Sequence, residues 1–183
     1  MPVCGRHFAR GELQFITTST YRRARLFTCQ RFRSIFVEVL RQLRQETGFL
    51  LSGWVLMPDH FHLLILPEPP EATVSFMQDL KKRTAQQIIA ALARNHDNPR
   101  CRALLARLCL PSTAHSDSYY RVWQRRYVPF NVFTHKKHLQ KLDDMHNNPV
   151  TARLVASADQ WPWSSFRFYY LNDSSVLAMD RVA

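Results

Sequence analysis

Residues 49–66 read FLLSGWVLMPDHFHLLIL: two short apolar runs, 49–56 and 61–66, parted by Met57-Pro58-Asp59. Each run is short for a helix and the proline interrupts them, so the segment predicts two buried strands joined by a tight connection. Side chains alternate across a strand. His60 and His62, two apart at the start of the second run, therefore project from one face, and Phe61 from the other. Two neutral imidazoles converging on one side make half of a metal site, although a His-x-His pair by itself also occurs as plain strand decoration. Asp59 is expected on the opposite face, capping the turn after Pro58.

Working outward, residues 13–20 (LQFITTST) read as a strand, followed by the basic turn YRRAR. Phe32, Ile35, Phe36, Val39, Leu40 and Leu43 recur at helical spacing, predicting an amphipathic helix closed near Gly48. Beyond Pro67, Pro69 and Pro70, a second helix spans 73–94 through Val74, Met77, Leu80, Ile88, Ile89 and Leu92, with Thr73 or Ser75 as its cap. Residues 95–118 read as an irregular insertion with two helical turns at RALLARL, and 119–133 as a strand with an irregular end. A late helix covers 134–147 and is stopped by Pro149. Residues 157–183 form an aromatic extension containing QWPWSSFRFYY. The order strand, helix, strand, strand, helix, strand, helix predicts one α+β domain over 1–183: a ferredoxin-like antiparallel sheet with helices packed on one face, plus the late helix.

The 183 residues carry 25 Lys and Arg against 14 Asp and Glu, a net charge of +11. With 46% hydrophobic and 12% aromatic residues, the chain has a core's worth of apolar surface, which excludes a disordered basic tail. The charge favours a polyanionic partner, nucleic acid first. Candidate phosphate contacts are Lys81, Lys82 and Arg83, then Arg121, Arg125 and Arg126, and Arg22, Arg23 and Arg25. Trp161 and Trp163, with Trp123 and Tyr127, are candidate stacking surfaces for unpaired bases. Cys4, Cys29, Cys101 and Cys109 form no C-x-x-C pair and read as reduced bystanders. No apolar run approaches the ~20 residues that span a bilayer, so a cytoplasmic protein without a membrane partner is expected.

The blocks WVLMPDHFHLL, KLDDMHNNPVTARLV and QWPWSSFRFY, in this order and separation, resemble the REP-associated tyrosine transposases and their relatives among the single-tyrosine transposases of the HUH superfamily. The resemblance covers most of the chain. It implies a nuclease and ligase of single-stranded DNA that recognises a hairpin, works as a monomer or homodimer, and uses a divalent cation, Mg²⁺ or Mn²⁺. His60 and His62 fall on the family's paired histidines, and matching the NPV block puts the third ligand at Asn148. His146 is expected to face elsewhere on the helix.

The chain departs from the family at the nucleophile. The position four before Asn148, where the resemblance implies the attacking tyrosine, is Asp144. Positions i and i+4 share a helix face, so Asp144 is expected to look toward the histidines. An aspartyl phosphate would hydrolyse, whereas a tyrosyl phosphodiester can be passed to a 3′-hydroxyl. Three readings stand: an inactivating change that leaves a DNA-binding remnant, a metal ligand or general base for water, or a nucleophile supplied instead by Tyr127, Tyr119 or Tyr120. The competing classes are a non-enzymatic nucleic-acid-binding protein derived from the fold and a basic structural protein.

Overall fold

In the computed structural model, which describes residues 12–67, 69, 72–111 and 119–181, the 49–66 segment is the hairpin its pattern predicts. Strands β2 (Leu50–Leu56) and β3 (His60–Leu66) pair antiparallel with Leu56 opposite Phe61. Strand β1 (Leu13–Ser19) pairs with the other side of β3, and β4 (Val128–Val132) pairs with β1, both antiparallel. The sheet order is β2-β3-β1-β4.

Alternation along the strands sorts the core into two layers. Ile16, Phe61, Leu63 and Ile65 face helices α1 (Gln30–Thr47) and α2 (Ala72–Ala93), whose Phe36, Leu40, Met77 and Leu80 complete that layer. Leu13, Val55, Leu64 and Val132 face the other way, toward Leu142 and Met145 of α4 (His135–Thr151) and Trp161. The late helix thus lies across the sheet from the first two. Among the described residues no helix is long and apolar enough to cross a membrane.

Gly48 closes α1 in the left-handed conformation (φ 70°), its N–H donating to the Arg44 carbonyl. Nothing lies within 4 Å of where a Cβ would sit, so Gly48→Ala is a test of backbone strain alone. It is expected to cost about 1 kcal/mol, read as a fall in Tm of roughly 2–4 °C for a chain of this size.

Several expected boundaries move. Thr73 and Ser75 lie inside α2, and the Ser75 hydroxyl donates to the Ala72 carbonyl, so neither caps it. The 95–118 stretch contains a ten-residue helix, α3 (Pro99–Leu108), with Asn98 accepting from the Arg100 N–H and Pro99 in the first turn; residues 112–118 lie outside the described ones. The 119–133 strand shrinks to β4 because Trp123 turns into the core, 5% exposed, with Nε1 donating to Thr84 Oγ1 at 2.9 Å. That burial pulls the preceding chain out of sheet register, leaving single bridges at Tyr120 and Trp123. Pro149 does not stop α4. It removes only its own N–H, while the carbonyls of Asn148 and Pro149 still accept from Ala152 and Leu154, and the ring is buried. The WPWSSF block runs along β2, where Leu56 N–H donates to Trp163 and Ser165 N–H to Trp54, covering part of a sheet edge.

Candidate functional site

His60 and His62 stand on the α4 face of β3, their ring centroids 5.1 Å apart. Both Nδ1 atoms are engaged. His60 Nδ1 donates to Asp59 Oδ1 at 2.7 Å, and His62 Nδ1 lies 2.7 Å from Thr17 Oγ1, the residue opposite it on β1. Asp59 in turn takes Arg23 Nε at 2.8 Å. The Asp59 carboxylate therefore orients His60 rather than pointing away from it, and Arg23 anchors the carboxylate. The expectation failed because Asp59 precedes the strand, where strict alternation does not yet hold.

Phe15 stacks on the His62 ring at 5.2 Å. Burial, the neighbouring His60, and the charges of Lys141 and Arg23 push the His62 pKa down to about 3, so this ring is neutral at physiological pH. In the tautomer that carries its proton on Nδ1, toward Thr17, the Nε2 lone pair would be the one left for a ligand, as in metal-binding histidines held by an outer carboxylate or hydroxyl. Two imidazole nitrogens on one strand face are ligands of a kind that a divalent cation accepts, and they supply two of the positions it needs. Among the described residues no three His, Cys, Asp or Glu side chains gather as a metal site, so an imidazole pair here would complete its shell with an amide or water oxygen.

Helix α4 presents Lys137, Lys141, Asp144 and Asn148 on one stripe, at spacings of four, three and four. The stripe's direction is set by its first two members: Lys141 Nζ lies 4.8 Å from the Phe15 ring centroid, and both lysines lie over Phe130. Asp144 is exposed and sits 3.6 Å from Lys141 Nζ; Asn148 is half-buried. His146 lies off the stripe, buried, with Nε2 2.9 Å from Ser165 Oγ. The stripe is held down by Leu142 and Met145, whose methyl ends come so close to Gly53 of β2 that a Cβ there would meet them at 2.6 and 2.7 Å.

The remaining candidates are placed elsewhere. Arg83 is committed to Glu46 by two bonds of 2.7 Å, and Lys81 donates to the Arg125 carbonyl. Both, with the exposed Lys82, belong to α2, across the sheet from the histidines. Arg121 lies over the Tyr21 ring, while Arg125 and Arg126 are exposed. Trp161 is buried with Nε1 donating to the Leu56 carbonyl, and Arg33 covers both Trp161 and Trp163, at 5.3 and 5.4 Å. Trp161, like Trp123, is buried, and Trp163 is half-buried. Tyr127 packs against the α1/α2 layer, and Tyr119 and Tyr120 lie beside the end of α3; none stands on the histidine face. Cross-strand Thr17 is a neighbour of the pair that no local pattern singled out, whereas Arg23, one of the candidate phosphate contacts, reaches it through Asp59.

The chain belongs to the IS200-like transposase family, whose model matches residues 8–104. It is 22% identical over 163 residues to a REP-associated tyrosine transposase of Escherichia coli K12, spanning 88% of this chain and 80% of that protein. A Haemophilus influenzae relative assigned to the same group is 26% identical over 164 residues, spanning 88% and 83%. The fold is that of a solved REP-associated tyrosine transposase bound to a REP hairpin, with a TM-score of 0.68 at 17% identity over 100% of this chain and 99% of the other.

Proposed function

We propose that this chain binds hairpin-forming single-stranded DNA across its histidine face, with Mg²⁺ or Mn²⁺ held by His60, His62 and Asn148, and that Asp144 makes it a binder rather than a strand-transfer enzyme. The observation that carries the reading is the imidazole pair, each Nδ1 engaged, on the sheet face that α4 covers; the resemblance assigns Asp144 of that helix to the nucleophile position. A relative of the same fold is bound to a REP hairpin, which supports hairpin DNA as the ligand class. Arg23 and Lys141 flank the pair and supply positive charge where a phosphate would lie. A bound divalent cation would polarise that phosphate. Asp59 and Thr17 fix the ring planes, and Phe15 shields the His62 face from water.

Asp144, exposed and against Lys141, is placed to accept a lysine's charge, and the described residues give it no partnership with the histidines as a third carboxylate ligand. The test is hairpin affinity at several salt concentrations, with Mn²⁺ and with chelator. Affinity is expected to fall steeply with salt, with a log–log slope of at least about −3 from a few phosphate contacts, and to weaken on chelation without any covalent product. Salt-insensitive or absent binding would remove the DNA reading; cation-dependent cleavage without an adduct would replace it with hydrolysis.

A further inference from the structure

We infer that the outer part of the histidine face, where β4 side chains stay exposed beside α4, is a shelf on which unpaired DNA bases stack, with Phe130, next to Phe15, as the stacking ring and Lys137 and Lys141 as the phosphate contacts. The inference rests on the DNA-binding reading above and says which residues hold the single strand. Register sets the shelf. Phe130 pairs with Phe15, and Val128 with Thr17, so these β4 side chains share the face of the imidazoles. Leu142 and Met145 dock α4 over Gly53 of β2, at the far side of the sheet from β4. Phe130 is left 45% exposed and Val128 66%.

Rings lead outward from the site: Phe15 stacks on His62 at 5.2 Å, and Phe130 is the cross-strand neighbour of Phe15. Cations line the same path. Lys141 Nζ lies 4.8 Å from the Phe15 centroid and 5.6 Å from that of Phe130, and Lys137 Nζ lies 5.8 Å from Phe130 while also donating to Gln140. The acids nearby are engaged, Asp144 with Lys141 and Glu12 with the Asn131 amide. An exposed aromatic ring flanked by lysines matches a single nucleic-acid strand, whose bases offer π-faces and whose phosphates offer charge. A second copy of the chain is the poorer occupant, because it would bring +11 against +11.

The experiment measures fluorescence anisotropy of two labelled hairpins, one blunt and one carrying a single-stranded extension. Phe130→Ala is expected to weaken the extended hairpin about tenfold, to leave the blunt hairpin unchanged, and to unfold at the temperature of the parent. Phe130→Trp is expected to keep the parent's affinity. Equal losses on both hairpins, or none on the extended one while the parent binds it in a salt-sensitive way, would overturn the shelf alone. Self-association of the parent that Phe130→Ala abolishes, with DNA affinity intact, would assign the face to a second copy. Failure of the parent to bind either hairpin would overturn the DNA reading and the shelf with it.

Discussion

Titrated with Mn²⁺ and followed by the loss of the free ion's EPR signal, the protein is expected to bind a single cation, and His62→Ala to lose more than about 100-fold in affinity. The expectation comes from the ring's setting. Its Nδ1 is held by Thr17 and its pKa is pushed down to about 3, so the ring is neutral throughout the ordinary pH range and free to ligate, and its removal would delete a ligand outright. Asp59→Ala makes the informative comparison. It leaves both imidazoles in place and removes the carboxylate that orients His60, a change that typically costs ~10–100-fold. A ranking of His62→Ala below Asp59→Ala below the parent supports the imidazole pair. Unchanged Mn²⁺ affinity in His62→Ala would mean that the cation, if bound, sits elsewhere.

Gly53→Val is expected to have the largest effect on stability, because β2 and α4 meet there without room for a side chain. A Cβ would lie 2.6 Å from Leu142 Cδ2 and 2.7 Å from Met145 Cε. Those are the ends of flexible side chains, so alanine can be absorbed by rotation, but the two further methyls of valine cannot. Overpacking of this kind costs typically ~1–3 kcal/mol, with valine expected at about 2–3 and a Tm lowered by roughly 5–10 °C. The same displacement moves the stripe of Lys141, Asp144 and Asn148 relative to β3, so cation affinity should fall together with Tm. A fully stable Gly53→Val protein would show that α4 does not dock on that strand.

Much of this was legible in the residues. The period-two and period-four apolar patterns of β1, α1, β2, β3 and α2 are local properties, and His60 and His62 share a face because nothing interrupts β3 between them. What could not be read depends on partners distant in sequence. Thr17 meets His62 only through the β1–β3 register, and Arg23 reaches Asp59 from a turn. Trp161 and Trp163 suggested a stacking surface by composition alone, but Arg33, contributed by α1, covers both. Phe130 drew no attention inside an aromatic stretch whose one buried member, Trp123, set the geometry of the rest. Pro149 shows the limit of a local rule: it forbids one hydrogen bond, and the burial of its ring carries the helix past it.

The decisive comparison is a denaturing gel of labelled hairpin incubated with Mn²⁺ and either the parent chain or Asp144→Tyr. The stripe on α4 and the imidazole pair lead to a slow-migrating covalent species from Asp144→Tyr alone, abolished by chelator and by adding His62→Ala. An adduct formed by the parent chain, or none formed by an Asp144→Tyr protein that still binds the hairpin, would contradict an otherwise intact site whose nucleophile has been replaced.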